Sequence, residues 1–245
     1  MPYLGLDTMN QPTPDQLAWI ESQANMCWIG YYLAPTPCRK DMSWMGNRAN
    51  LLAKGWRPVL IYLPTAPATV VTPAGGDAQQ GSTDGMHAAS LASTEGFVGG
   101  YIYLDIKDGS TLSLDGEAYV EAWINGITAK GYRPGIYCSH VLADSVTEVV
   151  GRIDPIPKAR LWVFKVDSVV PHRRTGSIAN LVARDPADSG VSNASAWQFE
   201  QDSQLDEPVR GKRGRQPAAH TRQTSLKWLS TRFFPNSVCS PTSII

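Results

Sequence analysis

The order of strand-like and helix-like segments constrains this chain more than any other feature. YLGLD (3–7) reads as a short strand. TPDQLAWIESQA follows with helical spacing, Thr13 as N-cap and Pro14 at the first helical position. MCWIGYYL (26–33) is an unbroken apolar and aromatic run, the mark of a strand buried on both faces. SWMGNRANLLAKG (43–55) returns to helical spacing and stops at Gly55, and WRPVLIYL (56–63) is a third strand. HAASLASTEG (87–96) is a helix of small residues able to pack close to a sheet, and YIYLD (101–105) is a fourth strand. GEAYVEAWINGITAKG (116–131) carries Tyr119, Val120, Trp123, Ile124 and Ile127 at helical spacing. RPGIYCS (133–139) and VLADSVTEVVGRI (141–153) complete a fifth strand and helix.

The pattern then changes. ARLWVFKV (159–166) is a strand with no clear helix after it, ASAWQFEQD (194–202) a seventh strand and SQLDEPV (203–209) a weaker eighth. Five βα units followed by three strands predict an α/β fold, an irregular TIM-like (β/α) barrel, with an open doubly wound sheet as the rival topology. The barrel is expected to span residues 1–209. Residues 210–245 have a basic start (Arg210, Lys212, Arg213, Arg215) and no periodicity, and read as a poorly ordered tail. The stretch PTAPATVVTPAGGDAQQGSTDG between the third strand and third helix reads as a long functional or mobile loop.

Composition narrows the functional classes. The formal net charge is zero, so no global field favours nucleic acid or an anionic membrane. The basic run in the tail has no interleaved aromatic platform, and a nucleic-acid partner is not expected. No apolar run is long enough for a membrane helix. The N-terminus has neither a basic start nor an apolar core of the secretory kind, which leaves a cytoplasmic location and export by a separate route both open. The cysteines, Cys27, Cys38, Cys138 and Cys239, form no C-x-x-C pair and read as reduced thiols; neither they nor the four histidines show metal-ligand spacing, so no cofactor is expected.

In a βα barrel the active site lies at the C-terminal ends of the strands. Those ends supply Asp7, Tyr31 and Tyr32, Tyr62, Asp105 with Lys107 and Asp108, Tyr137 and Ser139, Lys165 and Asp167, then Trp197, Gln198 and Glu200, with Asp206 at the end of the weak eighth strand. Carboxylates can act as acid, base or nucleophile, aromatics stack on sugar faces, and an amide orients a hydroxyl, so the set is coherent as a glycan pocket. Asp105 and Lys107 share a strand face, where they make either a site or a plain ion pair. Asp7 equally suits a turn, and each tyrosine equally suits the core. Rival motifs fail on chemistry. GGDAQQGSTDG lacks the G-K-[ST] ending of a phosphate loop, no G-x-S-x-G elbow accompanies Ser139, His140 and Asp144, and DGSTLSLDGE lacks the alternating oxygen ligands of a calcium loop. The NAS acceptor at 193–195 carries no weight without a secretory signal.

GLDT, GWRPVLIYLP, GSTDGMHAASLASTEG, YIYLDI, EAYVEAWINGITAKGYRPGIYCS and AWQFEQD occur in an order that resembles the glycoside-hydrolase-like domains of the family of unknown function 1906, over residues 3 to 206. Those domains are similar to the family 25 lysozymes, which cleave peptidoglycan. The resemblance implies the irregular barrel above and a carbohydrate cleft around Asp7 and Asp105 for a peptidoglycan-like glycan, to which the strand ends would add Tyr32, Tyr62, Lys107, Tyr137, Trp197 and Gln198 as binding residues. The lysozymes end their fourth strand in D-x-E. Asp105 matches the Asp, but Lys107 stands at the Glu position, and Asp206 is the only match for a later acid. A lysine, with an unperturbed pKa of about 10.4, is a poor proton donor to a leaving sugar. The resemblance therefore implies either a lysozyme-like enzyme with another donor or a catalytically silent glycan-binding or partner-binding barrel. Oligomeric state is not legible.

Overall fold

A computed structural model of the chain describes residues 2–24, 26–64, 77–106, 111–154, 158–166, 173–174, 181–205 and 225–231, with backbone only for 173–174, 202–205 and 225–231. Strands β1 (Tyr3–Asp7), β2 (Met26–Tyr32), β3 (Arg57–Tyr62), β4 (Tyr101–Asp105) and β5 (Arg133–Ser139) alternate with helices α1 (Pro14–Gln23), α2 (Arg48–Ala53), α3 (Ala78–Thr94), α4 (Leu114–Thr128) and α5 (Ala143–Ile153). β6 (Arg160–Phe164), β7 (Arg173–Arg174), β8 (Ala194–Leu205) and β9 (Ser225–Thr231) follow.

The helix starts obey local chemistry. At α1 the Gln16 amide donates to the Thr13 hydroxyl and the Thr13 amide to the Gln16 side chain, a reciprocal capping box, with Pro14 where no amide donor is needed. Asp77 and Ser113 cap α3 and α4 through side-chain oxygens. Gly55, with φ +87, lets the chain leave α2 for β3.

β1 to β6 pair in chain order, all parallel, without the reversal of direction that a doubly wound sheet has at its switch point. β6 also pairs parallel with β8, giving a curled parallel sheet of seven strands flanked by helices. β9 runs antiparallel to both β8 and β1, so the pairings return to the first strand. No described helix is long and apolar enough to cross a membrane.

Four local expectations change. GGDAQQGSTDG is not all loop: Asp77 caps α3, which runs through the second half of that stretch. A Cβ on Gly81 would lie 2.2 Å from the Tyr119 carbonyl oxygen, and one on Gly85 2.7 Å from that of Trp123, so these glycines serve helix–helix contact rather than loop geometry. SQLDEPV gives no separate strand, since β8 runs on to Leu205. Residues Ser225–Thr231, inside the stretch expected to be a tail, form β9. Cys27 is disulfide-bonded, against the expectation of reduced thiols, while Cys38 and Cys138 are free.

Candidate active site

Strand register sorts the candidate side chains into two faces. Asp105 lies opposite Tyr137, Tyr137 one residue pair beyond Ile136, and Phe164 opposite Gln198. Asp7 points to the same interior face, because its Oδ1 lies 2.9 Å from where a Cβ on Gly30 of β2 would be. Tyr32 is two residues beyond Gly30, on the same side. Below this polar layer the interior is filled by aromatics. Trp162 meets Trp28 at 5.4 Å, Tyr103 at 5.5 Å and Tyr137 at 4.7 Å between ring centroids. Room for those rings comes from missing side chains: a Cβ on Gly5 would strike the Trp28 indole at 2.1 Å, and one on Gly135 the Tyr103 ring at 2.6 Å. Bulky rings beneath and polar side chains above make a buried polar layer on a solid floor.

The polar layer is strongly coupled. Asp7, Asp105, Tyr32 and Gln198 are fully buried, and Tyr137 nearly so. Burial raises the Tyr32 phenol well above its ordinary range, and the charges of Asp7 and Asp105 and the neighbouring Tyr137 raise it further. One phenol thus senses both carboxylates, stays neutral and can donate a hydrogen bond. Tyr137 donates to Oε1 of Gln198 at 2.6 Å, which turns the amide nitrogen away from it. That Nε2 has no hydrogen-bond partner among the described residues, so the layer offers a donor as well as acceptors. Two carboxylates in a low-dielectric setting can stabilise a developing positive charge far better than in water.

Arg39, on the turn after β2, is part of this layer and went unnoticed in the sequence. Its guanidinium lies 4.7 Å above the Tyr32 ring centroid. Burial lowers its pKa, opposed by the charges of Asp41, Tyr32 and Asp7. A single arginine in an irregular Pro- and Cys-containing turn has no periodicity to reveal which way it points.

Two predicted site residues face elsewhere. Tyr62, opposite Leu104, turns outward to the helices, where its hydroxyl bonds Asp84 at 3.2 Å and His87 Nδ1 at 3.2 Å. Asp84 also accepts from Tyr119 and from Gln80, so the Asp of GSTDG anchors α3 to β3 and α4. Trp197 is on the face of β8 opposite Gln198, with its indole N–H on the Lys165 carbonyl at 3.0 Å and Arg184 over its ring. Tyr31 is outward as well, bonded to Glu95. Ser139 accepts from the Leu142 amide, within the turn that precedes α5. Glu200 is buried on β8, but the pairing with β9 shifts register between Gln198 and Glu200, so the two-residue spacing does not put them on one face. Lys107, Asp108, Asp167 and Asp206 lie outside the described residues. Among the described residues no cluster of His, Cys, Asp or Glu is arranged to hold a metal ion.

The sequence profile of the Rv2525c-like, glycoside hydrolase-like domain matches residues 18–227. The chain belongs to that family. The Rv2525c-like match includes Asp105, Tyr137 and Gln198 and runs past residue 209 into the stretch that was expected to be a tail; Asp7 precedes it. No curated protein matches the chain. Two solved structures share its fold. An uncharacterised B. stearothermophilus protein superposes with a TM-score of 0.62 at 19% identity, over 92% of this chain and 94% of that one. The catalytic domain of endolysin ply40, from a Listeria monocytogenes bacteriophage, superposes with a TM-score of 0.50 at 14% identity, over 94% and 93%.

Proposed function

We propose that this chain is an irregular TIM-like barrel, five βα units followed by further strands, whose mouth binds and hydrolyses a cell-wall-type, peptidoglycan-like glycan by lysozyme-type chemistry. The observation that carries this reading is the pair of fully buried carboxylates, Asp7 on β1 and Asp105 on β4, that act on one phenol, Tyr32. Buried carboxylates grouped around neutral donors fit a reaction in which positive charge develops on a sugar ring. Membership of a glycoside hydrolase-like family supports the same class. In this scheme Asp105 stabilises the oxocarbenium-like centre, Asp7 is the second interior acid, and the Gln198 amide and Tyr137 orient sugar oxygens. The proton donor must be a further carboxylate, for which Glu200, buried on β8, and Asp206 are the candidates.

A second reading follows from Lys107, which stands two residues after Asp105 where related lysozymes carry an acid. It makes the barrel a silent binder of the same glycan. Peptidoglycan turnover separates the two. The hydrolase reading expects release of soluble fragments by the unaltered chain, lost in Asp105→Asn and in Asp7→Asn. Fragment release only by Lys107→Glu establishes the silent barrel, and absence of glycan binding by every form removes both.

A further inference from the structure

Asp7, Asp105, Tyr32 and Gln198 occupy strand ends, where a mouth opens in a barrel of this kind, yet none of them reaches solvent. Among the described residues, the group lying over the Tyr32 ring is the Arg39 guanidinium. The turn that carries it is otherwise turned outward: Pro37, Cys38, Lys40, Asp41 and Met42 are exposed, whereas Arg39 is 4% exposed. Reciprocal backbone bonds between Thr36 and Arg39 close the turn. Nη2 of Arg39 donates to the Met9 carbonyl at 2.6 Å and to Asp41 at 3.1 Å, which ties the turn after β2 to the neighbouring loop after β1.

We propose that this turn is a strap and Arg39 its inward plug, closing the mouth over Asp7 and Tyr32 until a ligand displaces it. The closed state is held weakly for physical reasons. A guanidinium loses much hydration when buried, and here its Nε has no hydrogen-bond partner among the described residues. Its ion-pair partner Asp41 is 42% exposed, so that pair is screened by water. Swinging Arg39 outward returns its charge to solvent and uncovers an aromatic face, a carbonyl acceptor and a carboxylate. That set complements a ring with donor hydroxyls on its rim and an apolar C–H face, which is what a sugar presents. The identity of the ligand rests on the glycan reading above; closure itself does not.

Closure can be read without any glycan. Carboxylates are labelled with a water-soluble carbodiimide and an amine, and Asp7 is followed by mass spectrometry against the exposed Asp15 of the same chain. In the unaltered chain Asp7 is protected. In Arg39→Ala, with circular dichroism unchanged, Asp7 labelling relative to Asp15 rises about tenfold or more, as when an open state of about a tenth becomes dominant. Asp41→Asn gives a smaller rise, and it decides the matter if Arg39→Ala does not fold. Labelling of Asp7 as fast as Asp15 in the unaltered chain, or continued protection in the folded variants, overturns the strap. If labelling behaves as expected but peptidoglycan fragments neither bind nor re-protect Asp7 in Arg39→Ala, the strap stands and the glycan reading fails.

Discussion

Gly30 decides whether Asp7 can occupy the mouth. A Cβ there would sit 2.9 Å from the Asp7 carboxylate and 2.9 Å from the Ile61 side chain, and both partners are fully buried. Gly30→Ala is expected to displace Asp7 and to destabilise the fold by about 1–3 kcal/mol, the usual cost of overpacking. A urea unfolding midpoint checks the second effect, and loss of glycan binding or turnover the first. At this scale Asp7 and Asp105 each close an apolar strand in the sequence, and the fold brings both near Tyr32. It misplaced Tyr62 and Trp197, because a strand end names the residue but not its face. Those two side chains are set by register with Leu104 and Val163, neighbours far away in the chain.

At the scale of elements, α3 and α4 show why a glycine-rich stretch can be helix. Gly81 and Gly85 lie one turn apart and let α4's backbone approach directly. In an isolated helix Gly→Ala gains about 1 kcal/mol. Here Gly85→Ala would bring its Cβ within 2.7 Å of the Trp123 carbonyl oxygen and 3.3 Å of Gly126, both backbone atoms that cannot turn aside. The overpacking cost of roughly 1–3 kcal/mol should exceed the propensity gain. The expected result is a lower thermal midpoint despite the better helix former, and a rise would refute close packing at this point. Asp84 secures the same junction by accepting from Tyr62, Tyr119 and Gln80. In sequence the stretch carried loop signals, since glycine's preference for turns outweighs helix signals until a partner helix is present.

At the scale of the molecule, β9 joins β8 to β1. A chain cut after residue 209 should lose those pairings and expose two strand edges, so that it aggregates or unfolds non-cooperatively. Size-exclusion chromatography and thermal melting compare it with the full chain; a monomeric truncation with an unchanged midpoint would show that β9 is dispensable. A buried thiol sets a second global property. Burial pushes the Cys138 thiol up to about 12 from an ordinary 9.0. Below that ordinary value both states hold the proton. Above it the unfolded chain gives up a proton that the folded chain retains, so this contribution falls as pH rises toward about 12. The urea midpoint should therefore drop between about pH 9 and 11, and drop less in Cys138→Ala. Native Cys138 should also resist alkylation while the exposed Cys38 reacts.

By itself the sequence determined the alternation of strands and helices, the parallel order of the first strands and the two acids that close apolar strands. These follow from periodicity, capping and the polarity of neighbours, which are local. The tertiary structure alone decided the closing role of Ser225–Thr231 and the inward turn of Arg39. Each depends on a partner remote in sequence: strands β1 and β8, and the ring of Tyr32 with the Met9 carbonyl. A window along the chain holds propensities, but which propensity prevails is settled by surfaces that meet only once the sheet has curled.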